Sequence, residues 1–291
     1  MSDPGLPIGI VGLGLVGRAL AGRLRAAGHA VIGYDLRPEA REGFAVAELR
    51  ALGRQCEQVV LAVFDTPGVL QVLESHAALL AQGHRVRTVI DCSTGDPDLL
   101  APLSTRLAQR GIDLVEAPLS GSSAQIADGA ATMLLGGETA AIARCEPLLQ
   151  VLSPSRIHVG GAGMGARAKL ATNLVLGLNR AVLAEGFLFA QAQGLSAATF
   201  LELVLATPAR SAAAEAKGRK MVEEDFSPES RIRQHLKDVE LMLQGARAAG
   251  ARLPFSETHA ALMRAAVAAG DGDLDNAGLL RQLRRGLPHP H

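Results

Sequence analysis

Lys169 and Asn173 stand four residues apart in a proline-free stretch, "ARAKLATN". In a helix that spacing puts both side chains on one face. A lysine there can pass a proton to or from a substrate oxygen. Beside a cationic ring in a dry cleft it would give that proton up more readily, as the task requires. Asn173 could hold the lysine or the same oxygen. Spacing alone leaves a second reading open, an exposed lysine and asparagine on a polar helix face.

A second set of residues supplies what such a lysine would serve. "GLGLVG" runs from Gly12 to Gly17, after an apolar run and before a helical one. In that context Gly12 allows a tight turn. Gly14 lets a pyrophosphate approach the backbone, and Gly17 lets the helix close on the strand. The free N–H groups of the helix start then face the phosphates. Asp35 ends the next apolar run, 18 residues after Gly17. Its carboxylate suits a ribose 2′-hydroxyl and repels a 2′-phosphate, which favours NAD. Arg37, two residues on, could pair with a phosphate and keeps NADP as the alternative.

Chemistry beside a dinucleotide falls at the carboxyl ends of the strands. Three stretches lie there: "DCST" at 91–94, "APLSGSS" at 117–123 and "GAGMGARAKLATN" at 161–173. The Ser120–Gly121 turn offers a hydroxyl and exposed N–H groups to a carboxylate. As a bare turn it is equally a plain connection.

The elements that must position these residues divide the chain. Strands are predicted at "PIGIVG", "AVIGYD", "QVVLAVF", "VRTVIDCS", "IDLVEAP", "AATMLLGG" and "SRIHVGG", with helices at 15–27, 68–81, 97–110 and 139–151 between them. That alternation implies a mainly parallel sheet covered on both faces, an α/β Rossmann-like domain. It stops near Gly163. Helices are predicted at 166–193, 197–206, 209–224, 231–249 and 254–269, and no strand. The expected domains are therefore 1–162 for the dinucleotide and 163–291, all helical, for substrate and oligomer contacts, built on the long helix.

Composition narrows the class. Of 291 residues 48% are hydrophobic, and 29 basic side chains balance 29 acidic ones. A neutral chain argues against nucleic acid or an anionic membrane as partner. The apolar run 170–192 carries Asn173, Asn179, Arg180 and Glu185, too polar for a span by this reading. Three cysteines without a C-x-x-C pair read as reduced thiols in a cytoplasmic protein. No zinc spacing appears, and the terminal "HPH" reads as a tail, so no metal is expected.

Taken in order, "GLGLVG", "DCST", "APLSGSSAQIADGAATMLLGG", "GMGARAKLATN" and "LKDVEL" make the chain resemble the β-hydroxyacid dehydrogenases over nearly its whole length. This group includes 3-hydroxyisobutyrate dehydrogenase and tartronate semialdehyde reductase. The resemblance implies hydride transfer between a nicotinamide cofactor and a small 3-hydroxy acid or its semialdehyde. It implies a helical domain like that of 6-phosphogluconate dehydrogenase, and a homodimer or homotetramer. It makes Lys169 the catalytic lysine with Asn173 as partner, and Ser120, Gly121 and Ser122 the carboxylate loop. Cofactor contacts are implied at Gly12, Leu13, Gly14, Leu15, Val16, Gly17, Asp35, Arg37, Val63, Phe64, Thr94 and Lys237, with Asp238 orienting that region.

Four departures from the family pattern stand out: Val16 for Met, Ser122 for the second Gly of Ser-Gly-Gly, Thr172 for Asn, and "AVFDTP" for a Leu-Pro pair. Ser122 is expected to narrow the carboxylate pocket. Phe64 and Asp65 are expected to alter the nicotinamide surroundings. The alternatives are an imine reductase-like NADPH enzyme, which usually lacks a lysine at position 169, and a non-catalytic dinucleotide-binding module.

Overall fold

The structure, a computed structural model, describes residues 5–45, 48–75 and 78–285; the "HPH" tail lies outside the described residues. Eight short strands form one sheet: β1 (Ile8–Val11), β2 (Val31–Tyr34), β3 (Gln58–Leu61), β4 (Thr88–Asp91), β5 (Asp113–Glu116), β6 (Leu119–Ser120), β7 (Thr132–Gly136) and β8 (Ser155–Gly160). Their order is β2-β1-β3-β4-β5-β7-β6, with β8 also on β7. The first five are parallel in register, for example Ile10 opposite Gly33 and Val60. β7 runs antiparallel to β5 and β6, so the sheet is mixed at that side. The two-residue β6 is too short to carry a periodic signal and was not foreseen.

Helices α1 (Leu15–Ala26), α2 (Leu49–Gln55), α3 (Thr66–Glu74), α4 (Pro97–Ala108), α5 (Ser123–Ala127) and α6 (Thr139–Leu152) fill the connections. Leu20, Leu24, Ile126, Ile142 and Leu149 of α1, α5 and α6 join one core with Ile10, Val60 and Ile90. Leu52, Val69, Leu73, Leu100 and Leu107 of α2, α3 and α4 join a second core with Val59, Leu61 and Val89. Strand residues alternate between the two cores because successive side chains point to opposite faces. Each fully buried Leu, Ile or Val contributes about 1.5–3 kcal/mol. The predicted helix 68–81 ends early, at Glu74, because Ser75 leaves helical geometry at ψ 167°.

The remaining helices are α7 (Met164–Ala192), α8 (Ala197–Ala206), α9 (Ala212–Glu223), α10 (Ile232–Ala248), α11 (Pro254–Ala268) and α12 (Leu279–Arg285). α9 begins three residues later than predicted because Ser211 caps it, accepting from the Ala214 N–H at 3.1 Å. Among the described residues, only a single bridge between Arg231 and Asp275 has strand character in this part. α7 buries Leu183, Ala184 and Phe187 against Val204, Met221 and Leu280, and Phe187 meets Phe200 edge-on at 5.1 Å. Its length and its most apolar window, of mean hydropathy 1.3, are those of a helix able to cross a membrane; its sequence polarity had argued otherwise.

Compact units divide after Lys169. The first turn of α7 belongs with the sheet: Ala166 sits in the second core and its N–H is held by Glu116.

Candidate active site

The three glycines of the turn after β1 do different work. A Cβ on Gly12, at φ +91°, would lie 2.3 Å from the Ala62 carbonyl oxygen. One on Gly17 would lie 1.8 Å from the Gly12 oxygen. Both are required by the fold itself, whatever binds. Gly14 is different. Its φ of −74° suits any residue, and a Cβ there would meet no atom within 4 Å. Gly14 is also the N-cap of α1, with no side-chain cap and no acidic residue in the first turn. The N–H groups of that turn are left for an acceptor from outside the chain.

Asp35 holds this turn. Its Oδ2 accepts from the Leu13 N–H at 2.7 Å, and its Oδ1 accepts from Arg37 N at 2.9 Å and Nε at 3.3 Å. Burial pushes the carboxyl up, but these hydrogen bonds outweigh it and hold it below the usual carboxylate range. With two lone pairs per oxygen, Oδ2 keeps one acceptor site for a ribose hydroxyl. Arg37 is tied to Asp35, which raises its own pKa. Arg41 donates to the Asp35 carbonyl at 2.6 Å and lies over the Tyr34 ring at 4.7 Å. Leu13 turns its side chain into the core, Val16 packs against that core, and Leu15 is partly exposed.

At the ends of β3 and β4, Val63 N–H donates to Ser93 Oγ at 3.1 Å, and Ser93 N–H donates to Asp91 Oδ1 at 2.9 Å. Phe64 is exposed and Thr94 half-buried. Asp65 is the cap of α3, accepting from Gly68 N–H at 2.8 Å. Asp65 therefore starts a helix.

The serine loop is also partly architectural. Ser120 closes β6, and a Cβ on Gly121 would lie 2.7 Å from that of Ala131. Ser122 begins α5 in a reciprocal cap. Its Oγ accepts from Gln125 N–H at 3.3 Å, while Gln125 Oε1 accepts from Ser122 N–H at 2.8 Å. The serine was expected to shape a carboxylate pocket; its oxygen and N–H are engaged in the cap, and its hydroxyl proton is the donor it can still offer.

Lys169 and Asn173 are both buried on α7, at 7% and 6% exposure, which decides against the exposed-pair reading. Asn173 Nδ2 donates to Asp238 Oδ2 at 3.0 Å, and Lys237 Nζ pairs with Asp238 Oδ1 at 3.0 Å. Asp238 thus fixes the amide of Asn173.

Sequence reasoning missed Glu116. This carboxylate, buried at the end of β5, accepts from the N–H groups of Gly163 and, at 2.9 Å, Ala166. It is the cap of α7, supplied from a distant strand. Burial pushes its pKa up against those hydrogen bonds and Arg167. The helix start comes close because a Cβ at Gly165 would sit 2.9 Å from that of Glu116, and one at Gly136 would sit 2.4 Å from Gly165 N. The glycines of "GAGMG" were the available signal.

Two family models cover the chain. Residues 7–161 match the NAD binding domain of 6-phosphogluconate dehydrogenase, and residues 163–283 match the NAD-binding domain described for NADP-dependent 3-hydroxyisobutyrate dehydrogenase. The chain is similar to 2-hydroxy-3-oxopropionate reductase of Escherichia coli (strain K12), 28% identical over 96% of this chain and 97% of that protein. The crystal structure of 3-hydroxyisobutyrate dehydrogenase from Salmonella typhimurium matches with a TM-score of 0.84 at 25% identity, covering 95% of this chain and 99% of that one. An imine reductase from Pseudomonas sp. matches with a TM-score of 0.61 at 23% identity, covering 96% and 99%, a likeness of fold.

The geometry sets the outcome for three variants. Gly17→Ala should destabilise the fold by about 1–3 kcal/mol, as overpacking does. Gly14→Ala should leave the melting temperature unchanged and weaken dinucleotide binding about tenfold or more. Calorimetric melting and titration of both variants with NAD and NADP check this; equal melting losses would show that Gly14 is structural too. Glu116→Gln places an amide where two N–H donors converge. It should cost about 1–3 kcal/mol, read as a melting temperature several degrees lower; an unchanged value would remove Glu116 as the anchor of α7.

Proposed function

The chain belongs to the β-hydroxyacid dehydrogenase family, and from that membership we propose that it oxidises a small 3-hydroxy acid to its semialdehyde, or runs the reverse reduction, with Lys169 as general acid/base. The observation that carries the reading is the pairing of a buried Lys169 with a glycine turn whose middle member nothing in the chain requires.

The residues present fit a dinucleotide. Gly14 leaves room at a helix start whose N–H groups suit phosphate, and Asp35 retains an acceptor for a ribose hydroxyl. When bound, the cofactor supplies the hydride acceptor or donor. The protein's own residues do the rest. Lys169 takes the hydroxyl proton as the carbon is oxidised, and returns it to the carbonyl oxygen in the reverse direction. Asn173 is held in a fixed orientation by Asp238. The hydroxyl protons of Ser120 and Ser122 are suited to the substrate carboxylate.

NAD is the favoured cofactor. Asp35 carries a charge held in the folded state, and it occupies the nearest cation, Arg37. A 2′-phosphate would meet that carboxylate. The imine reductase and non-catalytic readings are set aside because Lys169 and Asn173 are both present and buried. A homo-oligomer is supported by Val175, Val182 and Phe189, spaced by seven on α7 and 58%, 60% and 68% exposed. The three cysteines are buried thiols, which fits a reducing, cytoplasmic setting.

Lys169→Ala should lower kcat about 100-fold or more, with little change in cofactor affinity. Steady-state assays over 3-hydroxy acids check this, and near wild-type turnover would reject the assignment. Asp35→Asn should shift the ratio of kcat/KM for NAD over NADP toward NADP by about tenfold or more. An unchanged ratio would place cofactor choice elsewhere.

A further inference from the structure

The loops after β3 and β4 are tied to one another through two hydroxyl groups that the mechanism above does not use. Residues 62–65 lead from β3 into α3, and residues 92–96 lead from β4 into α4. Val63 N–H, in the first loop, donates to Ser93 Oγ in the second at 3.1 Å. In the opposite sense, Asp96 N–H at the end of the second loop donates to Thr66 Oγ1, just past the first, at 2.6 Å. Each side of the tie thus gives a backbone N–H and receives one on a hydroxyl. Both hydroxyl residues are buried, Thr66 at 2% and Ser93 at 5% exposure, so water competes little for these bonds.

The residues around the tie are chosen to keep it. A Cβ on Gly95 would lie 2.6 Å from Thr66 Oγ1 and 3.0 Å from Leu100 Cδ1, so the close approach of Thr66 needs a glycine there. Ser93 is itself fixed, its N–H donating to Asp91 Oδ1 at 2.9 Å. Asp65 caps α3, accepting from Gly68 N–H at 2.8 Å, and Asp96 caps α4, accepting from Asp98 N–H at 2.9 Å. Phe64 therefore lies between anchored Val63 and Asp65, and Thr94 between anchored Ser93 and Asp96. What the tie adds to those local anchors is the spacing of Phe64 from Thr94, one loop against the other.

The sheet order indicates which part of a dinucleotide that spacing serves. β1 lies between β2 and β3, and β4 follows β3. On the reading above, Asp35 after β2 takes a ribose hydroxyl and the Gly14 turn after β1 takes the pyrophosphate. A dinucleotide laid across the strand ends in that order carries its nicotinamide half over β3 and β4. The first loop also abuts the glycine turn, since a Cβ on Gly12 would lie 2.3 Å from Ala62 O and 3.2 Å from Val63 N. We propose that Ser93 and Thr66 are positioning residues, whose opposed hydrogen bonds hold Phe64 and Thr94 at the spacing that seats the nicotinamide half of the cofactor. This rests on the dinucleotide reading above and assigns two residues within it.

Thr66→Val and Ser93→Ala each delete one hydroxyl with little change of shape. Amide hydrogen exchange on the ligand-free protein tests the tie itself. Thr66→Val should speed exchange at Val63, and Ser93→Ala at Asp96, by about fivefold, the fold-change of one net hydrogen bond. In each case the amide that is read keeps its own acceptor, so only a shared tie moves it. Calorimetric titration with NADH and with ADP-ribose, which lacks the nicotinamide, tests the role. Each variant should bind NADH about tenfold more weakly and ADP-ribose within about twofold of the wild type. Thr66→Ser, which keeps an acceptor, should restore most of the NADH affinity. A merely destabilised fold would weaken both ligands alike. That result, unchanged NADH binding, or unchanged exchange across the tie overturns the proposal. Ser93→Ala carries the test if Thr66→Val does not fold. If the wild type binds neither ligand, the dinucleotide reading fails and this role with it; if it binds both and the variants do the same, the role of Ser93 and Thr66 alone is rejected.

Discussion

A buried carboxylate at the end of β5 receives the first N–H groups of the helix that carries Lys169 and Asn173. Everything the lysine does depends on where that helix starts. An α-helix is stiff over a few turns, so fixing Gly163 and Ala166 fixes the direction in which position 169 projects. Glu116 supplies this anchor from the strand next to the serine loop, two residues ahead of Pro118. The carboxylate also meets the positive end of a 29-residue helix, which favours its charge and opposes part of the cost of burial.

The same economy runs through the sheet domain, where many polar groups at the strand ends are spent on building. Asp35 joins the glycine turn to β2, Asp65 and Ser122 cap short helices, and Ser93 ties β3 to β4. What remains for a ligand is smaller and more telling: a helix start without a cap and a glycine with open space above it. A group fully satisfied within the fold gives little reason to infer a ligand, and one left unsatisfied gives a specific reason.

This division explains what could be read from the sequence. The glycine turn was legible because Gly12 and Gly17 answer to local backbone geometry, and residue type records that directly. Lys169 and Asn173 were legible because one helical turn relates them. Glu116 and Asp238 were not, since each meets its partner across 47 or more residues, and no periodicity encodes such a contact. Ser122 is the opposite case. Ser-x-x-Gln before a short helix is a local cap signature, and the reading of the loop as a carboxylate site obscured it. The division of the compact units after Lys169 has the same origin as Glu116: a long-range carboxylate draws the first turn of α7 into the first unit.

Asp238 shows how one carboxylate can set the character of a helical face. It accepts from Asn173 with one oxygen and pairs with Lys237 through the other. The pair with Lys237 is nearly neutral at a distance, because opposite charges 3.0 Å apart cancel beyond a few ångströms. Lys237 can therefore present N–H donors without imposing a full positive charge on its surroundings. Asn173 gains a fixed amide, since only its NH2 can face a carboxylate. Two side chains are thus held by a third, which is itself buried at 4% exposure. An acid at this position need not exchange a proton to matter. It fixes the orientation of an amide and offsets the charge of an ammonium together.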